Sequence, residues 1–170
     1  MQYTLVDLLS LEHVLVDVQA SNTREAIQSL SDAMQATGHV TAGFAEDVWK
    51  REQTFPTGLP TQPLAVAIPH ADPDHVERSA VGVGVLRSPV RFAQMGTDGS
   101  VWLEVRLVFL LAIKEREKQV GMIQQLISLI QTPSLLEGLA AAESPAQALA
   151  LIVQITSRKD ENAKDPPDHS

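Results

Sequence analysis

The sequence predicts a single α/β domain built as one mixed β-sheet flanked by helices. Three observations carry that expectation. Short apolar runs rich in Val, Ile and Leu alternate with segments whose apolar residues recur at helical spacing. Turn-forming Gly, Pro, Ser and Thr separate these segments. The length of 170 residues suits one domain, or one domain with a tail. Helices and strands alternating in a mixed order point to one sheet covered by helices.

In chain order, residues 11–18 (Leu-Glu-His-Val-Leu-Val-Asp-Val) read as a first strand. Ser21-Asn22-Thr23-Arg24-Glu25 supplies a helix start, with Ser or Asn as cap and acid in the first turn. Ala26, Ile27, Leu30, Ala33 and Met34 follow at helical spacing, and Gly38 ends the helix. A second helix is expected after Thr41, turning Phe44, Val48 and Trp49 toward the core and ending between Arg51 and Thr54. Phe55-Pro56-Thr57-Gly58-Leu59-Pro60 is then a turn-rich connection.

Leu64 to Ile68 is a short apolar strand that stops at Pro69-His70. Ala80 to Leu86 alternates small and branched residues until Ser88-Pro89 breaks it. Val101 to Ile113 holds two strand-like pieces, with Leu107 to Ala112 fully buried. From about Glu117, Val120, Ile123, Leu126, Ile127 and Ile130 form a helical stripe, interrupted by Thr132-Pro133-Ser134. Short helices are expected at 134–141 and from Ser144, with Pro145 suited to a first turn. The domain is thus placed at 1–156, and the polar segment 157–170 reads as a disordered tail.

Composition narrows the function classes. A formal net charge of −8 argues against a nucleic-acid partner and suits a partner with a basic rim. With no cysteine, a disulfide framework, a thiol nucleophile and thiolate metal ligation are excluded. The first residues carry neither a basic flank nor an apolar run of signal length, and Leu107 to Ile113 is too short to cross a bilayer as a helix. A cytoplasmic protein without direct membrane insertion is expected.

Of the five histidines, His13, His39 and His169 read as ordinary solvated residues. His70 differs in placement. An apolar strand delivers it, Pro69 fixes the approach, and Ala71-Asp72-Pro73-Asp74 turns the chain away, as at an exposed strand end. Imidazole can ligate metal, act as a base or act as a nucleophile. His70 and His75 near Asp72 and Asp74 do not match zinc-ligand spacings. There is no Gly-x-Ser-x-Gly elbow and no Gly-x-x-x-x-Gly-Lys loop. What remains is a nucleophile that forms a covalent intermediate. Phosphoryl transfer needs positive charge and hydrogen-bond donors around the phosphoryl oxygens, which Arg51, Thr57 and amides near Gly58 can supply if their loop folds beside His70.

The pair of segments Arg51-Glu52-Gln53-Thr54-Phe55-Pro56-Thr57-Gly58-Leu59 and Ala65-Val66-Ala67-Ile68-Pro69-His70 resembles the signature of the fructose–mannitol (type 2) class of enzyme IIA of the bacterial phosphoenolpyruvate-dependent sugar phosphotransferase system. With His75 following, it looks most like the galactitol-specific branch, and the resemblance spans roughly residues 5–155. It implies the mixed-sheet fold of that class and a phosphohistidine at His70. It also implies phosphate accepted from HPr and passed to a cysteine of enzyme IIB, with the membrane subunit IIC reached indirectly. Arg51 matches the family arginine that helps hold the phosphoryl group. No cofactor and no metal are expected.

One departure stands out. Many members carry a second active-site histidine at the start of the helix after the last buried strand, where this chain has Gln119. Glutamine can donate a hydrogen bond to a phosphoryl oxygen but cannot titrate. His75 is the candidate replacement imidazole, and Asp72 is a candidate to orient the His70 ring. Two other functions compete: a regulatory relative that signals through its phosphorylation state, and a histidine-dependent hydrolase or metal protein reusing the scaffold. The sugar, galactitol or a related polyol, is carried by branch likeness only.

Overall fold

The computed structural model describes residues 4–164 and holds one five-stranded sheet with helices on both faces. In chain order the elements are β1 (Val14–Val18), α1 (Thr23–Ala36), α2 (Phe44–Thr54), β2 (Gly58–Leu59), β3 (Ala65–Ala67), β4 (Ala80–Ala93), β5 (Trp102–Ala112), α3 (Gln119–Leu129), α4 (Pro133–Ala140) and α5 (Pro145–Lys164). The sheet runs β1-β4-β5-β3-β2. β1 is parallel to β4, β4 antiparallel to β5, β5 parallel to β3, and β3 antiparallel to β2.

Central β4 and β5 are buried on both faces, which is why they read as nearly unbroken apolar runs. Val81, Val83 and Val85 join Leu107, Phe109 and Leu111 in one core, covered by Met122, Leu126, Leu136, Leu139 and Ile152 of α3, α4 and α5. Leu86, Val90 and Phe92 join Val108 and Leu110 in the other, covered by Ile27, Leu30 and Met34 of α1 and Phe44 and Val48 of α2. The α1 helix lies close to the sheet because Gly84 leaves room for it. A Cβ there would stand 3.2 Å from Leu30 Cδ1.

The helix-start signal at 21–25 works as expected. Asn22 accepts from the Glu25 amide at 2.9 Å, and the Glu25 carboxylate takes the Ser21 amide at 2.7 Å. Several boundaries differ from expectation. Leu11–His13 form a single 3-10 turn, and the strand starts only at Val14. Pro89 does not end β4; it falls in a register shift between Val85 and Val90, where its missing N–H removes no ladder bond. The two strand pieces expected over 101–113 are one strand, hairpinned onto β4. Gly58–Leu59, expected as a turn, adds the short edge strand β2.

The tail boundary also moves. α5 continues to Lys164, so residues 157–164, expected to be disordered, are helical; residues 165–170 lie outside the described residues. Extending an existing helix needs no new nucleus, and no proline interrupts it before Pro166. Lys159 Nζ further ties it to the Ser128 carbonyl at 2.7 Å. Among the described residues no helix is long and apolar enough to cross a membrane.

Candidate functional site

The site begins with how the sheet carries His70. β3 lies parallel to β5, and beyond its end the Leu111 amide donates to the Pro69 carbonyl at 3.1 Å, drawing His70 alongside β5. His70 Nδ1 lies 2.8 Å from the Ile68 carbonyl oxygen. A carbonyl can only accept, so Nδ1 carries the proton and Nε2 keeps its lone pair. Contrary to the expected exposed strand end, His70 is 8% accessible. Nε2 nevertheless has no hydrogen-bond partner among the described residues and is not among their fully buried unpaired atoms, so it is the nitrogen that faces out. Burial lowers the His70 pKa from its ordinary value; the Ile68 carbonyl opposes this, the Arg51 charge adds to it, and Asp72 opposes it. The ring at neutral pH is therefore an uncharged imidazole with one available lone pair, which is the nucleophilic form.

Arg51 comes from the last turn of α2. Its Nε is buried without a partner, and its guanidinium carbon lies 5.2 Å from the centre of the Phe55 ring. Stacking of this kind holds the fork in place without consuming its terminal N–H groups. A cleft of about 200 Å³ opens here, lined by Asp47, Lys50, Arg51, Ala71, Asp72 and Asp74. Two cations thus sit in the cleft that adjoins the residue after His70. Lys50 is a participant the sequence reading does not single out.

Thr57 has a task other than the expected phosphoryl contact. Its hydroxyl donates to the Glu52 carboxylate, 3.1 Å from Oε1 and 2.9 Å from Oε2, and its amide donates to Oε1 at 2.9 Å. The same hydroxyl accepts the Ile68 amide at 3.2 Å. A hydroxyl has one proton, and here the carboxylate takes it. Glu52 itself is 5% exposed and was not expected at the site. The signal was present: Phe44, Ala45, Val48 and Glu52 form the buried stripe of α2, so a carboxylate stands where an apolar residue belongs.

The other candidates each pair with a group other than the His70 ring. His75 pairs through Nδ1 with Asp47, and its ring lies on the backbone at Gly43, where a Cβ would stand 2.5 Å from Nε2. Gln119 Nε2 donates to the Ala71 carbonyl at 2.9 Å, so α3 pins the loop that follows His70. Asp72 does not orient the ring; the Ile68 carbonyl does, and Asp72 faces Arg116 at 3.5 Å. His13 is not solvated either, and His39 is half-buried. His13 is 1% exposed, its Nε2 and His39 Nδ1 both meet the Thr37 hydroxyl, and the rings contact edge-on at 4.7 Å. Among the described residues no group of three His, Cys, Asp or Glu could hold a metal ion.

Burial pushes the Glu52 pKa up to about 7 from 4.5, against the Thr57 hydrogen bonds and the Arg51 charge. Between those values the folded chain holds a proton that the unfolded chain has released. This group's stabilising contribution is therefore full below about pH 4.5 and is lost as pH rises toward 7, a change on the order of 3 kcal/mol. Glu52→Gln cannot ionise. Its melting temperature relative to wild type is expected to rise by several degrees between pH 5 and pH 8. A difference that stays flat across that range would mean that the carboxyl ionises near its ordinary pKa.

Known proteins match this chain along most of its length. The family model described as phosphoenolpyruvate-dependent sugar phosphotransferase system, EIIA 2, matches residues 7–155. Multiphosphoryl transfer protein 1 of Escherichia coli K12 is 31% identical over 150 residues, covering 85% of this chain and 17% of that protein. The chain therefore spans only about a sixth of the length of that relative. The galactitol-specific EIIA component of the same organism's phosphotransferase system is 30% identical over 115 residues, covering 68% of this chain and 75% of the relative. Among solved structures, E. coli enzyme IIA for mannitol, in complex with phosphorylated enzyme IIB, superimposes with a TM-score of 0.70 at 25% identity, covering 86% of this chain and 99% of that one.

Proposed function

The chain belongs to the EIIA 2 family of the phosphoenolpyruvate-dependent sugar phosphotransferase system, and from that premise we propose that it is a phosphoryl carrier that holds the group on His70 Nε2. The observation that supports this most directly is the Nδ1–Ile68 hydrogen bond, which leaves Nε2 bare near the cleft that Arg51 and Lys50 line together with Asp47, Asp72 and Asp74.

In the first step the Nε2 lone pair attacks the phosphorus of a phosphohistidine on HPr. The new N–P bond forms as the old one breaks, and the donor imidazole keeps the departing electron pair. Positive charge develops on the His70 ring, where the Ile68 carbonyl faces the Nδ1 proton. Arg51 and Lys50 balance the phosphoryl oxygens. In the second step a cysteine thiolate of enzyme IIB attacks phosphorus, an S–P bond forms, and His70 recovers its lone pair. An open cleft at the surface, as opposed to an enclosed chamber, suits two successive protein partners.

The sugar served is proposed to be galactitol or a related polyol, on the strength of the 30% identity to a galactitol-specific relative. The test is incubation with phosphoenolpyruvate, enzyme I and HPr, followed by intact mass and acid-lability measurements. An acid-labile phosphoryl adduct is expected. No adduct with an active HPr would remove the carrier role.

A further inference from the structure

We propose that Glu52 is a positioning residue for His70, acting through Thr57 and the main chain of Ile68. This rests on the carrier reading above but concerns a group that never touches the phosphoryl. The connection is continuous. Both carboxylate oxygens of Glu52 accept from the Thr57 hydroxyl, and Oε1 also accepts its amide. The Thr57 hydroxyl oxygen accepts the Ile68 N–H at 3.2 Å, and the Thr57 carbonyl lies 3.4 Å from the same nitrogen. The Ile68 carbonyl then accepts the His70 Nδ1 proton at 2.8 Å. All four residues are buried, so water does not compete for these bonds.

The chain of bonds explains why a carboxylate occupies the apolar stripe of α2. That helix also carries Arg51 and Lys50, which line the cleft. Glu52 therefore ties the strand that bears the nucleophile to the helix that bears the cations. The distance between the two is then set by buried hydrogen bonds and not by the intervening loop. A second structural role, filling the core, would need no acceptor on both oxygens.

The charge state of Glu52 matters to the geometry. As an anion it only accepts, which is what the Thr57 N–H and O–H require. A protonated carboxyl would place a hydrogen on one of the two oxygens that now accept from Thr57, so the Thr57 N–H and O–H would share a single acceptor. The charge acting on Glu52 is that of Arg51 on its own helix, and Asp98, from the β4–β5 connection, lines with Glu52 a second cavity separate from the Arg51–Lys50 cleft. His70 in turn faces Arg51 and Asp72.

The experiment compares wild type with Glu52→Gln in single-turnover transfer from phosphorylated HPr between pH 5.5 and 8.5, together with the nitrogen NMR signals of the His70 ring. The ratio of the two rates cancels the donor's own titration. Transfer by the variant is expected to be roughly tenfold slower at pH 8. The ratio should shrink toward one below neutral pH, and the ring signals should show a mixture of tautomers where wild type has one. Unchanged ring signals would overturn the proposal, whether transfer is slowed or not, because a merely structural carboxylate leaves the tautomer alone.

Should Glu52→Gln fail to fold, Thr57→Val and Thr57→Ser decide the matter. The valine variant is expected to lose the single tautomer and the serine variant to keep it; identical behaviour of the two overturns the proposal. If wild type itself accepts no phosphoryl group, the carrier reading fails, while the ring signals still decide what Glu52 does.

Discussion

Replacing His70 with alanine is expected to abolish phosphoryl acceptance while leaving a folded chain. The ring makes one hydrogen bond, to the Ile68 carbonyl, and it stands at the end of the short strand β3. Its removal opens a small void and leaves that carbonyl without its partner, together a loss of about 2 kcal/mol. A domain with two cores on either face of the sheet tolerates this. Acceptance, by contrast, requires a lone pair at Nε2, and alanine has none. His70→Asn is a stricter control, since its amide can still donate to Ile68 without offering a nucleophile. Both variants are expected to melt cooperatively and to show no adduct by intact mass. An adduct of wild-type extent on either would move the acceptor to His75 or another histidine.

Arg51→Ala is expected to slow transfer by about a hundredfold without removing the acceptor. A single preorganised donor at a site of developing charge contributes on the order of 10²-fold or more. Arg51 is fixed by burial of its Nε and by stacking on Phe55, so its terminal N–H groups stay available. Its charge also depresses the His70 pKa, so in Arg51→Ala the His70 titration is expected to move upward. Arg51→Lys should recover part of the rate, since it restores the charge but not the planar fork. Single-turnover rates and the His70 titration by NMR check both effects. An unchanged rate with an unchanged titration would reduce Arg51 to a charge at a helix end.

Much of the fold is legible in the sequence because its signals are local. The cap at Asn22 and the stop at Gly38 bound α1, and the periodic stripes of α1 and α3 mark their buried faces. The misreadings come where tertiary context overrides a local rule. Pro89 reads as a break, but a bulge accommodates it within β4. The polar run after Ser157 reads as disordered, but it continues a helix already nucleated and docked on Ser128.

At the site, His70 stands out in the sequence by its place after an apolar strand and Arg51 only through the motif that resembles the family's; the structure sets the two near enough for the Arg51 charge to act on His70. The partners of Thr57, Gln119 and His75 were not legible, because each is set by a contact across elements. Gln119 reaches Ala71 from α3, and His75 reaches Asp47 on α2. Glu52 could have been found from the apolar stripe it interrupts.

The measurement that tests the central claim most directly is identification of the phosphorylated nitrogen. Protein with nitrogen-15 histidine would be phosphorylated through phosphoenolpyruvate, enzyme I and HPr, and its ring nitrogens followed by NMR. Phosphorylation at Nε2 of His70, with its Nδ1 still protonated and the other imidazoles unchanged, is the expected result. A phosphoryl group on Nδ1 of His70, or on any other histidine, would contradict the account, because the Ile68 hydrogen bond leaves only Nε2 free to attack.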